Sequence, residues 1–524
     1  MTHAKLIETM TNPRFYPHGP EKVDLIQTHI SFIFIAGDYV YKVKKAVNFG
    51  FLDFSTLEKR EYYCREELRL NRRLAPSIYL EVLGISENEQ GDLAWGNGGP
   101  VVDYCVKMKK LPQDRMLKQL LAEGKAGDAV MMEIAQKLAA FHNAADTGGK
   151  IDECGGIETI RFNHDENFAQ TARYIRDTIR PHQYEFIKAY IYGFMDKHGA
   201  LLSDRVAAHK IRDCHGDLHL EHICVAADGI AVFDCIEFNE RFRYADVAAE
   251  VAFLAMDLDF NGYAHLAETF VSAYVAATDD LAIPTLLNFY KCYYAYVRGK
   301  VTSFRLDDQA VSREDKQDAR KTARKYFDLA YTYAARLETP TLILMAGLMG
   351  TGKSALGRRI ALHIGAHMIR TDVLRKEMLE IEPSERHPDA FGKGIYSDDM
   401  SQRTYDKALE AAREKLCEGK SVVIDASFKK RAERRRACET AKILDRPFFI
   451  VECRCPDAVV KERLERRAKN KAEASDGRWE IYAAQKKDFD EITEFPDSVH
   501  AVIDTSQTLQ ECSHQVLEHI KKQV

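Results

Sequence analysis

The segment CHGDLHLEHIC, residues 214–224, sets Cys214, His215, Asp217, His219, His222 and Cys224 within eleven positions, a density of ligand-type side chains that raises the question of a metal cluster. A closed zinc site takes about four ligands, usually as two short-spaced pairs from separate segments. Here the candidates crowd into one short stretch, and no CxxC pair stands anywhere in the chain. Zinc is therefore the weaker reading. The competing chemistry is phosphoryl transfer. A second carboxylate, Asp234 in DGIAVFDCIEFN, follows Asp217 by 17 positions, across a hairpin-like unit. One aspartate can accept the proton of a substrate hydroxyl while the other holds a divalent cation against nucleotide phosphates. Both lie in mostly apolar segments, where an idle carboxylate would be costly.

A second constellation is GLMGTGKS, residues 347–354, which satisfies G-x-x-x-x-G-K-[ST]. Gly347, Leu348, Met349, Gly350, Thr351 and Gly352, with Ala355 behind them, form the expected phosphate cradle, because glycines let backbone N–H groups turn inward around an anion. Lys353 is expected to reach the terminal phosphates and the Ser354 hydroxyl to hold Mg²⁺. Asp372 in HMIRTDVLRKEM and Asp425 in SVVIDASF each end an expected strand, at the edge where bound phosphates would lie. Asp425 is suited to steering the hydrated Mg²⁺. Arg463, Arg466 and Arg467 in VVKERLERRAKNK recur at helical spacing, as a lid over phosphates would require and as a solvated basic face would also show.

These groups need elements to hold them. SFIFIAGDYVYKVKKAV reads as two strands joined by AGD, with Val40, Lys42 and Lys44 on one face by period-2 alternation. STLEKREYYCREELRLNRRL reads as a helix carrying Glu66 and Glu67. VVDYCVKMKKLP, with Met108, reads as a strand, and VMMEIAQKLAAFHNAAD as a helix. An amphipathic helix with Phe327, Leu329, Ala330, Tyr333 and Leu337 on its apolar side gives way at about residues 338–340 to the apolar strand TLILMAG. The strand enters GLMGTGKS, and ALGRRIALHIG follows with helical periodicity and a glycine stop.

Composition bounds the rest. At 524 residues with 46% hydrophobic content, the chain is too long for one compact core, and at least two domains are expected. Against 80 acidic residues stand 75 Lys and Arg, a formal charge of −5, so no bulk field favours nucleic acid or a membrane surface and any anion site must be local. The 12 cysteines are scattered, most of them in apolar segments, as in a reducing cytoplasm. No secretory leader or membrane-spanning stretch is legible, so a cytoplasmic location without a membrane partner is expected.

The N-terminal motifs resemble those of aminoglycoside phosphotransferases and choline kinases, the small-molecule branch of the protein-kinase-like fold, over most of residues 22–305. The resemblance implies an α+β domain over 1–338, with an N-lobe of about 22–108 and a C-lobe of about 109–338. It implies Lys42 as the phosphate-contacting strand lysine, with Lys44 as the fallback. Of Glu66 and Glu67, Glu66 is favoured as the lysine's partner. Met108 falls in the hinge that holds adenine, Asp217 is the base, and Asp234 the metal ligand. One position departs from the family's HGDxHxxN pattern: His222 stands where an asparagine binds metal, so an imidazole takes that role, with Mn²⁺ possible beside Mg²⁺, or the lobe binds nucleotide without turning it over.

Residues 339–524 resemble small P-loop kinases related to polynucleotide kinase, gluconate kinase and the zeta toxins, an α/β fold with a parallel sheet. The resemblance implies that Asp372 contacts or deprotonates the acceptor hydroxyl, that Lys353 and Ser354 serve ATP and Mg²⁺, and that one lid arginine, with Arg463 and Arg467 as the leading candidates, spans the phosphates. End to end, the chain is similar to bacterial proteins that join these two domain types. The expected function is an ATP-dependent kinase with two nucleotide sites and a small-molecule hydroxyl acceptor. Two alternatives stay open: a non-catalytic N-terminal domain regulating the P-loop kinase, and a nucleic-acid end kinase. The latter ranks last, since FKKRAERRRACETAK supplies charge but few aromatics for stacking.

Overall fold

The computed structural model describes residues 2–50, 52–96, 99–226, 228–309, 311–381, 394, 397–468 and 479–523, without the side chains of 467 and 468. The chain divides into two compact units, Met1–Ile179 with Lys188–Ala330, and Arg180–Ile187 with Tyr331–Val524.

Among the described residues of the first unit, an antiparallel six-stranded sheet is built from β1 (Val23–Gln27), β2 (Ser31–Ala36), β3 (Tyr39–Lys44), β4 (Tyr79–Glu87), β5 (Leu93–Trp95) and β6 (Val101–Lys109), in the order β1-β2-β3-β6-β4-β5. Alternation decides its faces. Phe32, Phe34, Tyr41 and Val43 point to one side and form a core with Leu6, Met10 and Tyr16, while Lys42 and Lys44 point to the other. The β2–β3 hairpin turns in two residues, Gly37 and Asp38, with Gly37 at φ 60°, which suits a glycine-first hairpin turn. Helix Leu57–Asn71, capped by the Thr56 hydroxyl, packs beneath the lysine-bearing face through Arg60, Cys64, Glu67 and Asn71, one buried stripe at helical spacing.

The rest of this unit is mainly helical: Asp128–Ala144, Ile157–Thr171, Pro181–Ala207, Val247–Phe260, Ala264–Thr278, Ile283–Phe304 and Arg313–Ala335. Val247–Phe260 is apolar nearly all round and buried over most of its length, as a central core helix must be. Two short ribbons lie among the helices, β7 (Ile211–Asp213) paired with β10 (Tyr244–Asp246), and β8 (Ile223–Ala226) paired with β9 (Gly229–Val232). The helix Arg313–Ala335 ends before Leu337, which therefore lies beyond the apolar face expected of it.

In the second unit β11 (Leu342–Ala346), β12 (His367–Arg370), β13 (Val422–Asp425), β14 (Phe448–Arg454) and β15 (His500–Asp504) form a parallel sheet in the order β12-β13-β11-β14-β15. The residues of β11 are all buried and uniformly apolar, the texture of a central parallel strand covered on both faces. Helices Lys353–Ile364, Asp398–Cys417, Arg431–Ile443 and Leu509–Lys521 carry the crossovers and the C-terminal end. No described helix in either unit is long and apolar enough to cross a membrane.

Candidate active sites

In the first unit four separate segments converge on one buried charge network. Lys42 Nζ lies 2.8 Å from Glu67 Oε1 and 2.8 Å from Asp234 Oδ1. Lys44 Nζ lies 2.6 Å from Glu67 Oε2 and also contacts Glu237. Glu67, Lys44 and Glu237 are almost wholly buried. Burial works against charge on all of them, yet Asp234, Glu67 and Glu237 hold the Lys42 ammonium well above the usual lysine range. Burial also opposes the Glu67 carboxylate, but Lys42 and Lys44 outweigh it and keep it low. Glu237 is pushed up, chiefly by burial, despite Lys44. Three carboxylates face two ammonium groups, and the excess negative charge falls on Glu237.

The lysine's partner is thus Glu67 rather than Glu66. Helical period explains the difference: Glu67 continues the buried stripe of Arg60 and Cys64, whereas Glu66, about 100° round the helix, faces outward and pairs with Arg69 at 2.8 Å. Both Lys42 and Lys44 are in the network, so the strand contributes two ammonium groups rather than one. Met108 sits on β6 opposite Val40 and Tyr79.

The CHGDLHLEHIC segment leaves β7 and is pinned loop by loop. The Glu250 carboxylate accepts the N–H groups of His215 and Gly216 at 2.8 and 2.7 Å, and the Leu220 N–H donates to Asp257 at 2.9 Å. Gly216 adopts φ 85°, and a Cβ there would meet the Phe242 carbonyl oxygen at 2.8 Å, so only glycine fits. Arg73 donates to the Asp213 and Cys214 carbonyls at 2.7 and 3.0 Å. The two cysteines part company: Cys214 is buried beside Ala245, and Cys224 joins an apolar cluster with Cys64, Tyr79 and Val106. His142, Cys214 and Glu250 do lie together, but His142 is bonded to Glu250 and to Tyr274 at 2.7 Å each, and Glu250 is bonded to the loop amides.

Asp217, His219 and His222 do converge, with donor atoms all within 4.8 Å of one another. Asp217 stands 3.6 Å from His219 Nε2 and 3.5 Å from His222 Nδ1, and His222 Nε2 stands 3.6 Å from Asp234. Burial pushes the Asp217 carboxyl up, but the His219 hydrogen bond and the charges of His222, His219 and Arg298 bring it down to about 2. Asp234 is held well below the usual carboxylate range, as Lys42 and His222 outweigh its burial. Its backbone is left-handed at φ 62°, a conformation non-glycine residues seldom adopt outside turns and functional sites. The Asp234 N–H donates to Tyr79 Oη at 3.1 Å and the Cys235 N–H to Asn71 Oδ1 at 2.9 Å, which brace this turn. The motif reading missed Tyr79, Asn71 and Glu237. Glu237, three residues after Asp234, was the legible one; Tyr79 and Asn71 carry no local signature.

The second site is built on the C-terminal edge of the parallel sheet. Gly347, Gly350 and Gly352 all have positive φ, 127°, 77° and 89°, so the loop curls back over β11 before helix Lys353–Ile364 begins. Thr351 Oγ1 donates to the Leu348 carbonyl at 2.7 Å, the Met349 N–H donates to Gln485 at 2.7 Å, and Thr505 Oγ1 donates to the Thr351 carbonyl at 2.5 Å. Lys353 Nζ donates to the Leu348 carbonyl at 2.8 Å, across the mouth of the loop. Asp425 ends β13 in register with Met345 of β11 and Arg370 of β12. Its carboxyl is raised by burial, against Lys353 and a hydrogen bond with Ser354, and Asp372 adds to the rise. Asp372 opens helix Thr371–Glu377 and pairs with Arg375 at 3.3 Å.

Beside the loop lies a cavity of about 470 Å³ lined by Gly350, Gly352, Ala355, Arg463, Arg466 and Thr505, among others. Arg463 is anchored by donating to the Thr505 carbonyl at 2.6 Å. Arg466 joins it on the cavity wall, while the Arg467 side chain is outside the described part of the structure.

A kinase-like α+β phosphotransferase domain followed by a P-loop domain is the class of protein that this architecture defines. The phosphotransferase enzyme family matches residues 64–283, and the AAA domain matches residues 342–492. The chain belongs to the family of the Mycobacterium tuberculosis (strain ATCC 25618 / H37Rv) protein "Uncharacterized protein Rv2004c", with which it is 31% identical over 470 residues, 89% of this chain and 91% of that protein. Solved structures similar to single parts of it include a choline/ethanolamine kinase family protein from Mesorhizobium loti, 11% identical over 63% of this chain and 99% of that one at TM-score 0.36. A gluconokinase from Sinorhizobium meliloti 1021 is 22% identical over 36% of this chain and 94% of that one at TM-score 0.27. The domain families make the protein a nucleotide-binding, kinase-type phosphotransferase.

Proposed function

We propose that the protein is an ATP-dependent kinase with two nucleotide sites, each moving the γ-phosphoryl group of ATP to a hydroxyl of a small metabolite. The observation that carries this for the first unit is the bridge from Lys42 to both Glu67 and Asp234, residues remote in sequence, beside an ionised Asp217. Such a bridge fixes a cation where nucleotide phosphates would lie and an acid where their counter-ion would lie. Asp217 accepts the proton of the acceptor hydroxyl as its oxygen bonds to phosphorus and the bond to ADP breaks. In the second unit Asp372 faces the acceptor and Lys353 swings from the Leu348 carbonyl to the phosphates. The Ser354–Asp425 pair, oxygen donors only, fits Mg²⁺, which would offset phosphate charge when bound. The cavity beside Arg463 and Arg466 is large enough for a nucleobase and its ribose.

Pairing within the basic run favours a small acceptor over a nucleic-acid end. Lys429 and Lys430 pair with Asp488 at 2.7 and 2.5 Å, Arg434 with Glu494 at 2.6 Å, and Arg436 with Asp406. Much of that charge is spent within the unit. His222 keeps the regulatory reading in play for the first unit. Asp217→Asn separates the two, because it keeps the shape and removes the basic oxygen. The full chain carrying Lys353→Ala, with metabolite extract as acceptor source, isolates the first site. Turnover should then fall by orders of magnitude on adding Asp217→Asn, with ATP-induced thermal stabilisation retained. ATP binding without any Asp217-dependent turnover would reduce the first unit to a regulator.

A further inference from the structure

Hydrogen bonding fixes the tautomer of His222, and the tautomer decides what the ring can hold. Its Nδ1 lies 2.9 Å from the Asp217 carbonyl oxygen and 3.5 Å from the Asp217 carboxylate, acceptors both, so the proton sits on Nδ1. The lone pair is left on Nε2, which points at Asp234 Oδ2 from 3.6 Å. That separation is too long for a hydrogen bond, and in the neutral ring neither atom has a proton to offer. Two donors facing each other across such a gap match what one cation requires: donors about 2.1 Å from a common ion stand about 3.0 to 3.4 Å apart, so closing by a few tenths of an ångström suffices. An imidazole whose other nitrogen donates to a carbonyl is also the usual outer support of a metal-bound histidine.

His219 has a different task. Its Nδ1 accepts the Glu221 N–H at 3.3 Å, so its proton is on Nε2, directed at the Asp217 carboxylate. It positions the base and is not free to ligate. Lys42 occupies the other oxygen of Asp234, leaving Oδ2 for the ion.

We propose that His222 Nε2 and Asp234 Oδ2 form a site for a first-row divalent cation such as Mn²⁺, which the imidazole selects over Mg²⁺ and which binds before nucleotide does. Mg²⁺ keeps oxygen ligands and dehydrates reluctantly, whereas Mn²⁺ and the later ions accept imidazole. The inference rests on the first site's being a phosphotransfer site, but its readout needs no turnover. The nucleotide-free full chain is titrated with Mn²⁺ at pH 7.5, free aquo-Mn²⁺ being read by its electron paramagnetic resonance signal, with and without competing Mg²⁺. One Mn²⁺ should bind per chain, at least tenfold tighter than Mg²⁺. His222→Asn should weaken Mn²⁺ at least tenfold and erase the preference. Asp234→Asn, checked for folding by circular dichroism, should lose the ion too, and Asp425→Asn should leave this binding step unchanged. The proposal is overturned if the wild type binds no Mn²⁺, which would make His222 an imidazolium pairing both aspartates, or if Asp425→Asn rather than His222→Asn removes the binding. Tight Mn²⁺ without Asp217-dependent turnover would instead sink the phosphotransfer reading and leave the metal site standing.

Discussion

Glu67→Gln is the sharpest perturbation of the first unit. The wild-type carboxylate touches two ammonium groups, at 2.8 Å to Lys42 and 2.6 Å to Lys44, with about 1% of its side chain exposed. Removing one member of a buried ion pair costs roughly 3–5 kcal/mol, because the partner stays buried and uncompensated. Here each lysine keeps one carboxylate, Asp234 for Lys42 and Glu237 for Lys44. Moreover, the network has three acids against two bases, so losing one acid lets Glu237, now held up by burial and by Glu67, ionise fully and restore balance. The expected loss is therefore near the low end, about 3 kcal/mol. Glu66→Gln removes only a half-exposed pair with Arg69 and should cost less than about 0.5 kcal/mol. The chain has two tryptophans, Trp95 in the first unit and Trp479 in the second, so urea unfolding followed by fluorescence in a Trp479→Phe background reports on the first unit alone. With a slope near 3 kcal/mol/M, Glu67→Gln should lower the midpoint by about 1 M. Equal midpoints for Glu67→Gln and wild type, or a larger drop for Glu66→Gln, would refute the charge accounting.

Lys353→Ala should abolish ATP turnover by the second site without unfolding it, since the ammonium is needed only against phosphate; unchanged turnover in an Asp217→Asn background would contradict the P-loop role. Gly347→Ala should destabilise the second unit by about 1–3 kcal/mol and empty it of nucleotide, as the new Cβ would lie 2.5 Å from the Cys453 carbonyl oxygen at φ 127°; Trp479 fluorescence in a Trp95→Phe background is the measurement. His164, buried among Phe168, Phe289 and Tyr293, has its imidazole pushed by burial from 6.5 down to about 3. The unfolded chain therefore binds a proton that the fold refuses, and stability should fall as pH drops below about 6.5, by up to about 1.4 kcal/mol per pH unit, until about pH 3. His164→Phe should flatten that acid limb of the Trp95-detected urea midpoint.

Much of this was open to reading in the chain because its signals are local. GLMGTGKS between an apolar strand and a helix announces itself, and so do Asp372 and Asp425 at strand ends, since strand, turn and helix periodicities agree over a few residues. Lys42, Asp217 and Asp234 were found by pattern, and the hairpin between the two aspartates is there as β8 and β9. Choosing between Glu66 and Glu67 needed the helix phase, which the Arg60–Cys64–Glu67–Asn71 stripe fixes and a charged, weakly amphipathic sequence blurs. Tyr79 and Asn71 act on the Asp234 turn from more than 150 residues away, and no spacing rule links them to it. The convergence of His219 and His222 on Asp217 was missed for the opposite reason. A tight 3₁₀ turn at Leu220–His222 folds neighbours inward that an extended loop would splay apart.

The wide sequence separation of the first site bears on how the chain is made. Lys44 and Glu237 are 193 residues apart, and Lys42 and Asp234 are 192. At about 5–20 residues per second, a ribosome needs roughly 10 to 40 s to deliver the second half of the network after the first. The nascent sheet must stand through that interval with its partner missing. What it presents meanwhile is a face bearing Lys42 and Lys44, with Glu67 close by to neutralise them, while its aromatic face is already covered by the helix at its own N-terminus. A charged waiting surface holds water rather than other nascent chains, so the residues that later grip phosphate also keep the half-made protein soluble.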